Sequence, residues 1–136
     1  MVEETYPVPV QPLWEALTVR DVMVQWYFDT IEEFEPRVGF ETRFMVSTGE
    51  REFPHVWKVT EVRPNERLCY DWSFENYDGD SNTVFELREV EGGTRLRLTA
   101  TVTRPFPADI PEFERQSGVD GWTFLLKTNL KTLLSP

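Results

Sequence analysis

Few side chains of this 136-residue chain have the neighbours that catalysis requires. His55 is the only histidine and Cys69 the only cysteine, so a two-histidine metal site, a Ser-His-Asp triad and an internal disulfide all lack members. His55 begins a predicted strand, where we expect a position at the surface or rim. Cys69 alternates with Tyr70 and should face either the outer side of its sheet or a helix, and we expect it to be unreactive without a nearby base. The sequence therefore predicts no catalytic residue and no metal site.

Carboxylates could support acid–base chemistry or hold a cation, but their positions favour neither role. Asp71 and Glu86 occupy strand positions opposite the apolar ones, where solvation or pairing with Arg88 and Arg97 accounts for them. The acidic run at residues 29–35 lacks the ligand spacing and the glycine of a calcium loop. We interpret that run as a solvated loop, and we predict no cofactor.

Aromatic side chains are the more informative feature. The chain contains ten Phe, five Trp and four Tyr, a large rigid apolar area for a small domain. Alternation along the strands and helical spacing near the C-terminus predict a shared lining of Phe40, Phe44, Trp57, Tyr70, Trp72, Phe85, Leu98, Trp122 and Leu126. Two interpretations remain open: a ligand cavity, in which the Tyr70 hydroxyl and indole N–H groups could orient the ligand, or a packed core.

The charge balance excludes some partners. Fourteen Lys and Arg face twenty-four Asp and Glu, a formal net charge of −10 that repels phosphate backbones and anionic lipid surfaces. We therefore expect no nucleic-acid partner. No apolar run reaches membrane-spanning length, and the first residues do not resemble a signal peptide, so we expect a cytoplasmic protein without membrane insertion.

Hydrophobic periodicity predicts the elements that would position the aromatic residues. An extended N-terminal segment containing Pro7 and Pro9 predicts a short edge strand, and two short helices around Trp14 and Trp26 follow. Period-two alternation then predicts five strands, most clearly at residues 68–74. Because the intervening turns are short, strands adjacent in sequence should pair as an antiparallel meander.

The C-terminal segment predicts one long amphipathic helix. Its apolar stripe consists of Trp122, Leu125, Leu126, Leu130 and Leu133. A lone helix after many strands must bury such a stripe on the sheet. We therefore predict a single α+β domain over residues 1–136: a curved antiparallel sheet of about six strands, two short helices and a long C-terminal helix over the concave face. A void should separate Trp122 and Leu126 from Tyr70 and Trp72.

This order of elements resembles the helix-grip fold of START-like and birch-pollen-allergen-like domains. Local motifs at residues 8–18, 59–68, 86–96 and 121–130 resemble the bacterial homologues of the C-terminal domain of activators of the ninety-kilodalton heat-shock protein ATPase. The chain departs from that pattern at Ala100, where many relatives carry histidine. It also has no room for the separate N-terminal domain of the eukaryotic activators.

The resemblance implies a scaffold shared by lipid carriers, cyclases and co-chaperones, so it leaves several functions open. Our preferred hypothesis is the binding of a small hydrophobic or amphipathic molecule between sheet and helix. One alternative is an interaction protein of the chaperone-cofactor type, in contact with a chaperone or a second copy of the chain. A cyclase or hydrolase acting through cavity shape is less favoured, because the sequence offers few polar groups for the interior.

Overall fold

A computed structural model describes residues 1–135, which include one six-stranded antiparallel sheet. The strand order is β1-β6-β5-β4-β3-β2, so β2 to β6 form a meander and β1 returns to pair with β6. The strands are β1 (Val2–Tyr6), β2 (Glu41–Ser47), β3 (Glu52–Arg63), β4 (Arg67–Phe74), β5 (Tyr77–Val90) and β6 (Gly93–Arg104). The predicted meander and edge strand are therefore confirmed.

The sheet is interrupted at three points. Register shifts occur between Val59 and Glu61 in β3, between Trp72 and Phe74 in β4, and near Asp80 in β5. Each shift strengthens the local twist, because an extra residue on one strand bends it away from its partner. The sheet is therefore curved. The apolar side chains of β3 to β6 lie on its concave face, which the helices cover.

Two short helices and one long helical segment complete the fold. The short helices are α1 (Val10–Thr18) and α2 (Arg20–Trp26). After a 3₁₀ turn at Pro111–Phe113, the chain forms α3 (Arg115–Phe124), a π-helical turn (Leu125–Leu130) and α4 (Lys131–Leu134), with helical torsions across both junctions. The prediction of a long C-terminal helix is confirmed. No helix among residues 1–135 is long and apolar enough to cross a membrane.

Specific hydrogen bonds fix the C-terminal helix to the first strand. The Tyr6 hydroxyl donates to the Leu126 carbonyl at 2.7 Å, inside the π-helical turn. Lys127 Nζ donates to the Glu3 carbonyl at 2.8 Å, and Lys131 Nζ donates to a carbonyl of the same strand. Polar contacts to β1 and the burial of Leu126 therefore both hold the helix against the sheet.

The segment between α2 and β2 differs from the sequence prediction. Its acidic side chains Asp29, Glu32, Glu33 and Glu35 are exposed, as expected of a solvated loop. Its apolar side chains are not exposed: Tyr27, Ile31 and Phe34 are buried in the core. The Arg20 guanidinium donates to the Ile31 carbonyl at 2.9 Å, which anchors the segment to α2. The segment therefore contributes a layer of side chains between helix and sheet.

Candidate functional site

The predicted lining residues fall into two groups. Trp72, Leu98 and Trp122 line a cavity that is open to solvent. The other predicted residues are buried in the core, away from that cavity: Phe40, Phe44, Trp57, Tyr70, Phe85 and Leu126. The packed group forms the inner part of the interface between sheet and helix, and the cavity occupies its outer part.

Tyr27 fills the space where the sequence predicted a void. Its ring centroid lies 5.0 Å from that of Trp57 and 5.6 Å from that of Trp122, so it bridges sheet and helix. Trp122 also packs edge-on against Trp72, with centroids 5.8 Å apart. The expected separation of Trp122 from Trp72 is therefore wrong, because aromatic side chains from the segment after α2 occupy the interface.

The hydroxyls of Tyr27 and Tyr70 meet in this packed region at an O–O distance of 2.6 Å. Burial raises the pKa of both phenols well above the ordinary value, so both remain neutral. One hydroxyl donates to the other, and the Trp57 indole nitrogen beside them has no hydrogen-bond partner among the described residues. The Tyr70 hydroxyl is thus engaged within the core rather than directed into the cavity.

The cavity itself has a volume of about 550 Å³, within the usual range for small-molecule sites. It lies between the distal ends of β4, β5 and β6 and the N-terminal half of α3. Trp72, Leu98 and Trp122 form its inner wall, and the outward-facing Val102 and Val119 are 59 % and 39 % exposed. The remaining apolar wall consists of Met1, Val2, Phe74, Ala100, Phe106 and Phe113, with Gly118 beside it.

The outer wall of the cavity is preformed, because its aromatic side chains pack against one another. Phe106 stacks on Phe113 with ring centroids 4.9 Å apart, and Phe74 contacts both rings. Gly79 permits this arrangement, since a Cβ at that position would lie only 2.3 Å from the Phe106 ring. The wall therefore depends on residues from β4, β5 and the segment that follows β6.

Polar groups of the cavity are few, and its charged groups lie at the margin. Ser81, Thr83 and Thr101 contribute hydroxyls, although the Ser81 hydroxyl donates to the Trp72 carbonyl at 2.9 Å. Among the charged residues, Glu112 lies in the 3₁₀ turn, and Glu114 and Arg115 lie at the start of α3. This arrangement can hold an apolar body and bond a polar end, but it places no acid–base pair in the interior.

An ion pair connects one side of the margin to the rest of the fold. Arg51 lies 3.0 Å from the Glu112 carboxylate, and the Thr48 hydroxyl donates to the same carboxylate at 3.2 Å. Both partners belong to the turn between β2 and β3. They hold the 3₁₀ turn that carries Phe113, and so they help to position the aromatic wall.

His55 was expected at the surface or rim, and this prediction is wrong. Its side chain is buried, stacks on Phe44 with centroids 4.8 Å apart and packs edge-on against Phe74. Nδ1 lies 2.8 Å from the Phe53 carbonyl. Burial lowers the pKa of His55 to about 4, so the ring is neutral near pH 7. Alternation could have shown this, because residues 53, 55, 57 and 59 share one face of β3.

The outer face of the sheet holds the remaining candidate residues. Cys69 lies there, and burial raises the pKa of its thiol, so the group is a poor nucleophile. Asp71 accepts a hydrogen bond from the Asn82 amide at 3.1 Å. Glu86 pairs with Arg67, its direct neighbour on β4, at 2.9 Å instead of with the predicted Arg88 or Arg97. Arg97 is its direct neighbour on β6 but pairs with Glu3. The described residues contain no cluster of three or more potential metal ligands.

Solved structures share this fold over almost the whole chain. Protein CV1439 from Chromobacterium violaceum is 21 % identical with a TM-score of 0.80, over 99 % of this chain and 95 % of its own. MLL2253 from Mesorhizobium loti is 28 % identical with a TM-score of 0.73, over 98 % and 93 %. CalU16 from Micromonospora echinospora is 25 % identical with a TM-score of 0.67, over 98 % and 74 %. No curated protein matches significantly.

The family assignment follows from the sequence as well as the fold. A sequence model of the family described as Activator of Hsp90 ATPase homolog 1-like protein matches residues 7–135. The match begins in the segment after β1 and includes both short helices, the rest of the sheet and the C-terminal helix. The resemblance inferred from local motifs is thereby confirmed. The chain belongs to the Activator of Hsp90 ATPase homolog 1-like protein family.

Proposed function

We propose that the protein binds a small hydrophobic or amphipathic molecule in the cavity between β4–β6 and α3. The observation that supports this proposal is an apolar, aromatic-walled space of about 550 Å³ that remains although the neighbouring interface is fully packed. Ala100 contributes to that space, since a small side chain stands where the family resemblance leads us to expect histidine.

The walls and the margin suggest the chemistry of the ligand. Burial of about 300 Å² of apolar ligand surface would contribute roughly 7 kcal/mol before the cost of association, so apolar burial alone falls short of micromolar affinity and polar contacts must add to it. The hydroxyls of Thr83 and Thr101 and the charged residues at the start of α3 provide partners for one polar end. An amphipathic molecule whose apolar part reaches Trp72 and Trp122 fits this distribution.

The packed aromatic residues have a supporting part in this proposal. Trp57 and Tyr70 stack with centroids 4.6 Å apart, and both contact Trp72. Tyr27 contacts both Trp72 and Trp122 from behind. We propose that this group fixes the two cavity tryptophans in place and does not itself contact the ligand.

Intrinsic fluorescence tests the proposal, because Trp72 and Trp122 line the cavity. Fatty acids, sterols and aromatic metabolites would be titrated against the wild type, Ala100→Phe and Thr99→Phe. Ala100 lies in the cavity wall, whereas Thr99 is the next residue of β6 and faces the opposite side of the sheet. We expect saturable fluorescence changes with the wild type and Thr99→Phe, and binding about tenfold weaker or absent with Ala100→Phe.

Two results would count against ligand binding in this cavity. One is the absence of any saturable change across the library. The other is an affinity that Ala100→Phe leaves unaltered, since a phenyl ring placed in the wall must compete for the same space.

Contact with a chaperone is a second candidate function, and family membership supports it. If the protein acts in this way, its addition to the ninety-kilodalton chaperone of its own host should change the rate of ATP hydrolysis. A surface mechanism would leave that effect intact in Ala100→Phe, whereas a mechanism that requires a bound ligand would not.

A further inference from the structure

The face of the sheet that points away from the helices carries a concentration of positive charge. A shallow groove of about 370 Å³ crosses this face, and we call it the arginine groove. It is lined by Arg63, Arg67, Arg88, Arg95 and Arg97 together with Glu3, Glu66 and Glu86. Because the whole chain has a formal net charge of −10, this local excess of cations is opposite in sign to the rest of the molecule.

Three of these arginines have partners within the protein. Arg63 lies 3.1 Å from the Glu61 carboxylate, and Arg67 lies 2.9 Å from that of Glu86. Arg97 lies 3.1 Å from the Glu3 carboxylate on the neighbouring strand β1. Cross-strand pairing of opposite charges accounts for Arg67 and Arg97, since such pairs support the sheet, and Arg63 pairs with a carboxylate of its own strand.

Pairing with a carboxylate of the protein does not explain the presence of Arg88 and Arg95. They are direct cross-strand neighbours on β5 and β6, and both side chains are exposed. Within residues 1–135 neither forms an ion pair with a carboxylate at 4.0 Å or less. Like charges placed directly opposite each other destabilise a sheet, so this pair disfavours the folded chain in isolation. An external anion would remove the repulsion.

We propose that the arginine groove docks an acidic segment of a partner protein, with carboxylates bound by Arg88 and Arg95. A guanidinium binds a carboxylate through two parallel hydrogen bonds, and residues directly opposite on two strands lie about 5 Å apart. The guanidinium groups of Arg88 and Arg95 can therefore bind two neighbouring carboxylates of one peptide.

Long polyanions fit the groove less well than a short acidic segment. A nucleic acid or an anionic membrane extends far beyond the groove and meets the negative charge of the rest of the surface. A short segment interacts mainly with nearby charges at moderate salt, and the lining of the groove has five arginines and three glutamates. The charge distribution therefore favours a local protein contact.

A fluorescein-labelled hexaglutamate peptide is the probe, and its anisotropy reports binding at low ionic strength. Arg88→Gln/Arg95→Gln should weaken binding about tenfold or more, because it removes both unpaired guanidinium groups. Arg37→Gln/Arg43→Gln is the matched control: it changes the net charge equally, at exposed arginines outside the groove. The control should bind as the wild type does. Thermal unfolding should show that Arg88→Gln/Arg95→Gln is at least as stable as the wild type.

Several outcomes would overturn the proposal. These are no binding by the wild type, equal weakening by the two double variants, and displacement of the peptide by inorganic phosphate at a matched concentration of charge, which would indicate a small-anion site. Tighter binding of a single-stranded oligonucleotide of equal charge would also overturn it. Ala100→Phe should bind the peptide normally, so the result is independent of ligand binding in the cavity.

Discussion

Acidification should destabilise this protein through His55, although the ring belongs to no catalytic site. The ring is buried between Phe44 and Phe74, and Nδ1–H donates to the Phe53 carbonyl. A neutral imidazole suits this environment. Protonation would place a charge among aromatic side chains, where desolvation penalises it.

The size and sign of the effect follow from the pKa. Burial lowers the pKa of His55 from 6.5 to about 4, so between these values the unfolded chain binds a proton that the native protein does not. The stabilisation is therefore complete above pH 6.5 and is lost as the pH falls from 6.5 towards 4. At about 1.4 kcal/mol per pKa unit, the total loss is about 3 kcal/mol, most of it by about pH 4.5.

Urea unfolding of the wild type and His55→Gln between about pH 7.5 and pH 4.5 measures this loss. Glutamine can donate to the same carbonyl but does not titrate. All other titrating groups are present in both proteins, so their pH effects cancel in the difference between the two free energies of unfolding. That difference should be constant above pH 7 and shift in favour of the variant by about 2.5 kcal/mol near pH 4.5. A difference that stays constant throughout would refute the assignment of a buried, neutral His55.

Three further sets of substitutions test contacts that determine the fold. Tyr6→Phe removes the hydrogen bond to the helical carbonyl and should lower the free energy of unfolding by about 1–2 kcal/mol in urea; an unchanged midpoint would contradict this anchoring role. Gly93→Ala should destabilise the protein far more than Gly92→Ala, because both have positive φ but only a Cβ at Gly93 meets backbone, 1.9 Å from a carbonyl oxygen; equal melting temperatures would contradict the contact. Tyr27→Phe and Tyr70→Phe should each cost about 1 kcal/mol, and the double variant less than their sum; strict additivity would show that the hydroxyls do not pair.

Alternating residues made much of the architecture predictable. In β4 the apolar positions Leu68, Tyr70 and Trp72 fall on one face because successive side chains of a strand point to opposite sides. The stripe containing Leu126 and Leu130 likewise indicated a helix packed on one side, and both residues are fully buried. These signals are local: each depends only on the geometry of a single element.

The position of the cavity was not predictable in this way. Tyr27, Ile31 and Phe34 lie in a segment without periodicity, so nothing local indicated that they would enter the interface. Their volume closes the inner part of the space between sheet and helix, and the open part lies beside Trp72 and Trp122. The unpaired arginines of the outer face likewise became apparent only when the strand register placed Arg88 opposite Arg95.

The sequence by itself determined the fold class, the strand and helix order and the family resemblance. Only the tertiary structure decided which aromatic side chains fill the interior and which border open space. The physical reason is that periodicity reports the orientation of a side chain relative to its own backbone, whereas a cavity is the volume left over when distant segments pack together.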